Sequence, residues 1–264
     1  MYVARRRVAS PVPRGICPGG TTVLVTGASS GIGRAAARAL AERGVRLLLT
    51  GRREPALSET ARRTGGAFLA ADLLEQGAVA RLAEWAGDIG PPDVVVHAAG
   101  AGLARVAGAA TPADTEPVLR LNLAVPVELT GRLLPGMLGR GHGRLVFVTS
   151  VAALVGVPGE SAYAASKAAV HHYARCLRSE LAGTPVTVAT LAPAVVATPF
   201  FERRGAPYTR RVPRPLAVER VGDAVATLAL GTAAEVVVPR WMRFPALVQA
   251  VAPTTYARLA GRLG

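Results

Sequence analysis

The chain is poor in cysteine and lacks long apolar runs, and each scarcity excludes a class of protein. Its 264 residues include two cysteines, Cys17 and Cys176, which are too few and too far apart for a disulfide framework or a metal-ligand cluster. No apolar run approaches the roughly 18 residues that span a bilayer. The N-terminal stretch also lacks the apolar segment of a signal peptide. These absences predict a cytoplasmic protein without a bound metal.

Lysine is scarcer still, because Lys167 is the single lysine among 31 basic residues and all the others are arginine. The net charge of +14 suggests a nucleic-acid-binding protein as one alternative. The arginines are scattered along the whole chain, however, and only five Phe and five Tyr accompany them. A general preference for arginine over lysine explains the charge more simply, so we expect no nucleic-acid partner.

Short Val/Leu-rich runs alternate with longer stretches of helical periodicity, which is typical of βαβ units and a parallel sheet. Strands are predicted at 22–27, 45–51, 67–72, 92–100, 143–150, 185–193 and 235–239. Helices are predicted at 31–43, 54–64, 75–87, 113–135, 161–182 and 217–231. The pattern indicates an α/β fold: one Rossmann-like, doubly wound domain over 21–240, with a seven-stranded parallel sheet and helices on both faces. Residues 1–20 are expected to form a flexible arm, and 241–264 an amphipathic tail.

A glycine-rich turn, TGASSGIG, joins the first predicted strand to the first predicted helix. Gly27 allows the tight turn, Gly31 lets the backbone approach a pyrophosphate, and Gly33 lets the helix pack closely on the sheet. The helix N-terminus would offer N–H groups and a partial positive charge to the phosphates. The spacing G-x-x-x-G-x-G differs from the commoner G-x-G-x-x-G. It is the position between strand and helix that favours a dinucleotide site.

The end of the second predicted strand indicates which dinucleotide is preferred. An NAD site usually has an acidic residue about 20 residues past the glycines. Here Gly51 stands at that place, followed by Arg52 and Arg53. A guanidinium fork matches a 2′-phosphate, which a carboxylate would repel. The sequence therefore favours NADP(H) over NAD(H), with Arg52 the better candidate.

The run YAASK places Tyr163 and Lys167 four residues apart, so a helix presents both side chains on one face. A phenol has a pKa near 10, and a neighbouring ammonium is expected to lower it toward neutral pH. Lysine is a compact charge on a flexible stem, and arginine does not replace it at such a site. Ser150 ends the fifth predicted strand, at the sheet edge where ligands bind, and its hydroxyl suits a substrate oxygen.

These motifs together resemble the short-chain dehydrogenase/reductase family over roughly residues 21 to 240. The resemblance implies an NADP(H)-dependent oxidoreductase that moves hydride between nicotinamide and a carbonyl or secondary alcohol carbon. Tyr163 would be the general acid–base, Lys167 would hold the nicotinamide ribose, and Ser150 would polarise the substrate oxygen. Asn122 would anchor a water in the proton relay.

The resemblance also implies how the cofactor is bound, with Asp72 contacting the adenine amino group. The residues expected to bind the cofactor are Gly27, Ser29, Ser30, Gly31, Ile32, Gly33, Arg52, Arg53, Asp72, Leu73, Ala99, Gly100, Tyr163, Lys167, Pro193, Val196 and Thr198.

Two positions depart from the family pattern. The family often has NNAG after the fourth strand, whereas this chain has HAAG; we interpret His97 as a structural histidine. After the sixth strand the usual Pro-Gly becomes Pro193-Ala194, which leaves the geometry of this turn open. Thr198 still matches the threonine expected to contact the nicotinamide carboxamide.

Residues 199–215 fall where the family carries a variable substrate lid. Phe200, Phe201, Tyr208 and five arginines favour a bulky lipophilic ketone or alcohol, or an acyl group delivered by an acidic carrier protein; an ordinary solvated loop is the alternative. The tail 241–264 is interpreted as a cover for the pocket or a subunit contact, with peripheral attachment to an anionic membrane as the alternative.

The resemblance implies a homodimer or homotetramer that acts on a small-molecule carbonyl or alcohol. Its favoured activity is ketone reduction. The opposing class is a non-catalytic NADP(H)-sensing or nucleic-acid-binding protein on the same fold.

Overall fold

A computed structural model describes residues 20–106, 108–209 and 212–263, so the predicted arm, apart from Gly20, lies outside the described residues. Seven parallel strands form one sheet in the order β3-β2-β1-β4-β5-β6-β7. The strands are β1 (Thr22–Thr26), β2 (Arg46–Gly51), β3 (Ala67–Ala70), β4 (Val94–His97), β5 (Gly143–Val148), β6 (Val186–Pro193) and β7 (Glu235–Val238). The predicted seven-stranded parallel sheet is confirmed.

Helices cover both faces of the sheet. They are α1 (Gly31–Ala41), α2 (Glu54–Thr64), α3 (Ala78–Ile89), α4 (Pro112–Leu119), α5 (Val125–Arg140), α6 (Ser161–Glu180), α7 (Phe200–Arg203), α8 (Val218–Leu230), α9 (Arg243–Val251) and α10 (Pro253–Leu263). Alternate residues of a strand enter different cores: Val23 and Val25 pack with α1, α2 and α8, whereas Leu24 packs with α3, α5 and α6. This two-sided burial explains why the strands are apolar throughout.

The chain reverses its direction across the sheet at β1, which pairs with β2 on one side and β4 on the other. A crevice for ligands is expected beyond the carboxyl ends of the strands at such a switch point. β4 ends earlier than predicted because the backbone N–H groups of Ala98 and Ala99 donate to Thr26 Oγ1, each at 3.0 Å, and leave the strand ladder.

The predicted helix at 113–135 is interrupted. A π-helical turn, Arg120–Ala124, separates α4 from α5. Hydrophobic periodicity predicts an unbroken helix here, because a π turn widens the hydrogen-bond pattern without breaking the apolar stripe. Such turns are frequent at functional sites. This one holds Asn122, which is 1% exposed.

Within the described part of the chain, no helix has both the length and the apolarity needed to cross a bilayer.

Candidate active site

The glycine turn after β1 has the geometry that the sequence predicts. Gly27 has a φ of +72°, and a Cβ there would lie 2.8 Å from Ala99 Cα. A Cβ on Gly33 would lie 2.5 Å from the carbonyl oxygen of Gly27, so the first turn of α1 packs directly on the strand–helix turn. Both positions require glycine for steric reasons. The N-terminus of α1 is thereby held at the crevice.

A single cleft of about 1080 Å³ begins at this turn and extends to the lid and the tail. It is lined by every predicted cofactor-binding residue except Gly33, and also by Ser150. Gly33 packs behind the turn. Asn122 is likewise outside the cleft lining and is buried behind it.

Asn122 ties together the loop after β4 and helix α6. Its Oδ1 accepts from the Ala101 N–H at 2.9 Å, and its Nδ2 donates to the Ala101 carbonyl at 2.8 Å and to Ser166 Oγ at 2.9 Å. Ser166 Oγ in turn donates to the Tyr163 carbonyl at 2.7 Å. Asn122 therefore holds the segment that carries the candidate catalytic residues, in addition to the water-anchoring role that the resemblance implies.

Sequence reasoning missed Ser166, which lies one position before Lys167. It also missed that Asn122 is the only asparagine of the chain. That rarity is a signal of the same kind as the sole lysine, and it could have marked the position without the family resemblance.

Ser150, Tyr163 and Lys167 meet at the carboxyl end of β5. Ser150 lies near enough to the Tyr163 hydroxyl to oppose the rise of its pKa, and Ser150 Oγ accepts from the Ala152 N–H at 3.1 Å. Lys167 Nζ donates to the Val148 carbonyl at 3.1 Å. A Cβ placed on Gly100 would lie 3.3 Å from this Nζ and 3.0 Å from Asn122 Oδ1, so glycine leaves open the space beside both polar groups.

The electrostatics of Tyr163 differ from the sequence-based expectation. Burial raises the pKa of Tyr163 to about 12; the Ser150 hydrogen bond opposes this rise, Glu160 adds to it, and Arg204 opposes it. Burial also lowers the pKa of Lys167 to about 8. The expected lowering of the Tyr163 pKa by the ammonium is therefore wrong for this structure, since loss of solvation outweighs the charges around the phenol. At neutral pH the phenol keeps its proton and the amine keeps most of its charge.

Guanidinium groups gather at the glycine turn. Arg34 donates to the Ser29 carbonyl, Arg53 Nη2 donates to the same oxygen at 3.2 Å, and Arg203 Nη1 lies 3.5 Å from Ser30 Oγ. Burial, with repulsion from neighbouring arginines, lowers the pKa values of Arg34 and Arg203. Arg34 Nε is buried without a hydrogen-bond partner in the structure. Of these arginines, Arg53 and Arg203 line the cleft, and crowded cations there suit an anionic ligand.

Arg52 and Asp72 flank the same end of the cleft. Arg52 Nη1 lies 3.4 Å from Asp72 Oδ2, and the Arg52 side chain is 70% exposed. Asp72 Oδ1 also accepts from the Leu74 N–H at 3.1 Å. Sequence reasoning found Arg52 and Arg53 but missed Arg34 and Arg203. Arg34 directly follows GIG, whereas nothing near Arg203 in sequence indicates that it reaches the turn.

The two departures from the family pattern leave the surrounding structure intact. His97 is 4% exposed, stacks on Phe147 and has its Nε2 3.1 Å from Thr130 Oγ1. Burial lowers the pKa of His97 to about 3, so it is a neutral core residue, as interpreted from the sequence. After Pro193, the Ala194 N–H donates to the Val238 carbonyl at 2.7 Å. Thr198 lies over the glycine turn, with its Cγ2 3.5 Å from a Cβ built on Gly31.

The predicted lid is centred on α7 and carries a row of aromatic rings. Phe200 lies 5.4 Å from the Tyr163 ring, Phe201 lies 5.5 Å from Phe200, and Tyr208 lies 5.4 Å from Phe201, measured between centroids. Arg204 lies over the Phe201 ring at 4.6 Å. Residues 210 and 211 of the predicted lid lie outside the described part of the chain.

The parallel sheet, the glycine turn at its switch point and the Ser150–Tyr163–Lys167 group define a Rossmann-fold protein with a cleft for a nicotinamide dinucleotide. A family model described as short chain dehydrogenase matches residues 21–208. The chain belongs to this family of NAD(P)-dependent oxidoreductases, which confirms the resemblance stated from its motifs.

Relatives of the chain include a ketoacyl reductase from a Nostoc species and the mouse dehydrogenase/reductase SDR family member 7B. The first is 36% identical over 183 residues, which cover 67% of this chain and 64% of the relative. The second is 33% identical over 191 residues, covering 67% and 58%. The chain spans about three fifths of the length of these curated relatives.

Solved structures match over more of the chain. A 3-oxoacyl (acyl-carrier-protein) reductase from Agrobacterium tumefaciens with NADP bound has a TM-score of 0.75 at 31% identity, covering 82% of this chain and 92% of that one. A short-chain dehydrogenase from Sphingobium yanoikuyae in complex with NADPH has a TM-score of 0.79 at 27% identity, covering 89% and 95%.

Proposed function

We propose that the chain is an NADP(H)-dependent ketone reductase that acts on a lipophilic or acyl carbonyl compound. The observation that carries this proposal is the position of Tyr163. Its hydroxyl interacts with Ser150, its ring contacts Phe200 of the apolar lid, and it lines the same cleft as the glycine turn.

The described residues fit a nicotinamide dinucleotide. Gly27 and Gly33 leave no room for side chains at the turn, the N-terminus of α1 offers its free N–H groups, and Gly100 keeps the space beside Lys167 open. When bound, the nicotinamide supplies the hydride that reduces the carbonyl carbon. Lys167 would hold the adjoining ribose.

Ser150 and Tyr163 would bind the carbonyl oxygen of the substrate and stabilise the negative charge that develops on it. Because the pKa of Tyr163 is raised to about 12, the phenol is protonated at neutral pH and acts as a proton donor. Lys167, the ribose hydroxyl, Asn122 and a water would then restore the proton to Tyr163, as the family resemblance implies.

The preference for NADP(H) rests on the guanidinium groups at the end of β2 and around the glycine turn. Arg52 is largely exposed at the cleft and would exchange its ion pair with Asp72 for a 2′-phosphate, and Arg34, Arg53 and Arg203 add positive charge nearby. No acidic residue occupies the position after β2 that would favour NAD(H). The NADP and NADPH named for the two solved structures support this choice.

The preference for a lipophilic or acyl substrate rests on the lid. Phe200, Phe201 and Tyr208 form a continuous aromatic wall beside Tyr163. The ketoacyl and 3-oxoacyl reductases among the similar proteins have names that are consistent with an acyl substrate.

The proposal is tested by following NADPH oxidation with a panel of hydrophobic ketones. Tyr163→Phe removes the proton donor and should reduce turnover by about 10²–10⁴-fold while leaving NADPH binding intact. Tyr173→Phe is the matched control, since Tyr173 is on the same helix but packs against Phe147, away from the cleft. Equal turnover by wild type and Tyr163→Phe would exclude Tyr163 from the mechanism. NADPH binding without turnover of any carbonyl would favour the cofactor-sensing alternative.

A further inference from the structure

Bulky apolar side chains surround the opening of the cleft. Val106, Val212, Trp241 and Phe244 all line the cleft, yet they are 65%, 68%, 51% and 71% exposed. Side chains that both line a cleft and remain this exposed lie at its mouth. These four residues, from three separate segments, form what we call the apolar rim.

The exposed apolar surface continues from the rim along helix α9. Leu247 and Val251 follow Phe244 at intervals of three and four residues, and they are 59% and 73% exposed. This spacing places the three side chains on one helical face. Contiguous exposed apolar surface of this kind marks an interaction site rather than ordinary protein surface.

The other side of the tail is anchored to the domain. Met242 is buried in a small core with Val151 and Val237, and Ala246 and Tyr256 pack against it. The tail is thus attached through one side while Phe244, Leu247 and Val251 face outward. A pocket cover or a subunit contact, the two roles expected from the sequence, would use one side of the tail, and the exposed apolar side chains lie on the other.

The charged residues of the tail segment that carries this surface are all basic. From residue 236 to residue 264 the sequence contains no aspartate or glutamate. Arg240, Arg243 and Arg258 of this segment are exposed, as is Arg105 beside Val106. Basic residues flanking an apolar helical face with Trp and Phe are typical of segments that lie on anionic membranes.

We propose that the apolar rim and the outer face of α9 dock on the surface of an anionic lipid bilayer. The mouth of the cleft would then open toward the membrane, and a lipophilic substrate would enter without crossing water. A tightly packed protein partner on the rim would close this entrance, whereas fluid lipid leaves it passable. The docking rests on the exposed apolar side chains and on the arginines that flank them. The delivery of substrate rests also on the proposed function.

The docking is tested by cosedimentation of the full chain with vesicles of phosphatidylcholine, with or without phosphatidylglycerol. Wild type should bind the anionic vesicles and release them at high salt. Leu247→Ser/Val251→Ser should weaken this binding by about tenfold or more, because it removes apolar contacts that enter the bilayer. Neither residue lines the cleft. The matched control is Ile89→Ser/Leu138→Ser, which changes two exposed apolar residues elsewhere and should bind like wild type.

Equal binding by wild type and Leu247→Ser/Val251→Ser would overturn the proposal. The proposal would also be overturned if wild type bound neither kind of vesicle and instead formed an oligomer that the double variant does not form. A second copy of the chain would then cover α9. Binding to an acidic carrier protein in place of vesicles would overturn it as well. Vesicle binding is measured without turnover, so it tests the docking independently of the proposed function. With a water-soluble ketone as substrate, the double variant should keep wild-type activity.

Discussion

Arg204, directly after the lid helix α7, forms an ion pair with Glu160, directly before the helix that carries Tyr163. The two side chains are only 6% and 16% exposed. The pair therefore joins the lid to the catalytic helix within the protein, and its two charges act in opposite directions on the pKa of Tyr163.

Removing one partner of this pair should destabilise the protein more than removing both. Arg204→Met leaves a partly buried carboxylate unpaired and should lower the free energy of unfolding by about 3 kcal/mol. The Glu160→Gln/Arg204→Met double variant should recover most of this loss. Urea denaturation measures both. If the double variant is as unstable as the sum of the single variants, the two side chains are not coupled.

The single lysine should not tolerate replacement by arginine. Lys167→Arg keeps the charge, but a planar guanidinium does not fit the buried space between the Val148 carbonyl and Gly100. We expect turnover of a ketone to fall by about 10²-fold. The matched control is Arg178→Lys on the same helix, which should retain activity. Wild-type turnover by Lys167→Arg would show that charge alone suffices at this position.

Arg52 should discriminate between the two dinucleotides. Arg52→Ala should weaken NADPH binding by about tenfold, because one contact to the 2′-phosphate is lost, and it should leave NADH binding unchanged. Fluorescence titration with each dinucleotide measures the effect. Arg62→Ala is the control, since Arg62 is similarly exposed and also pairs with a carboxylate but does not line the cleft. An equal loss of affinity for both dinucleotides would contradict the 2′-phosphate assignment.

His97 should make the protein less stable in mild acid. Its folded-state pKa of about 3 lies below the ordinary 6.5, so the unfolded chain binds a proton that the folded protein excludes. Its stabilising contribution is complete above pH 6.5 and is lost as the pH falls toward 3. When the pH is lowered from neutral to about 5, the contribution of His97 to the free energy of unfolding should therefore fall by about 2 kcal/mol.

His97→Asn introduces the residue that the family often carries and removes this titration. Urea denaturation at neutral pH and near pH 5 should show a smaller loss of stability for the variant than for wild type. The same loss in both proteins would assign the acid sensitivity to other groups.

Two glycines in helices should respond to alanine in opposite ways. Gly33→Ala places a Cβ 2.5 Å from the Gly27 carbonyl oxygen and should disrupt the turn, with loss of both stability and NADPH binding. Gly87→Ala is the matched change in α3, where a Cβ meets nothing within 4 Å. It should stabilise the protein by about 0.5–1 kcal/mol. Thermal unfolding measures the stability of both variants. If Gly33→Ala is as stable as wild type, the turn relaxes to accommodate the added Cβ.

The structural features that depend on residues near one another in the sequence were predicted well. The strands, the glycine turn and the Tyr163–Lys167 spacing follow from hydrophobic periodicity and from helical geometry, which act over a few neighbouring residues. The predicted helix boundaries failed at the π turn around Asn122, because the apolar stripe continues through it. The predicted lowering of the Tyr163 pKa failed because burial raises this pKa, and the burial of the Tyr163 side chain depends on the lid and on α6 together.

The sequence by itself determined the order of strands and helices, the dinucleotide turn and the identity of the candidate catalytic residues, since each depends on local pattern and residue chemistry. Only the tertiary structure decided that Arg203 reaches Ser30, a residue 173 positions away, and that Arg204 pairs with Glu160. It also decided which side of the tail is buried. Such contacts join distant segments, and they arise only when the sheet brings those segments to the same edge.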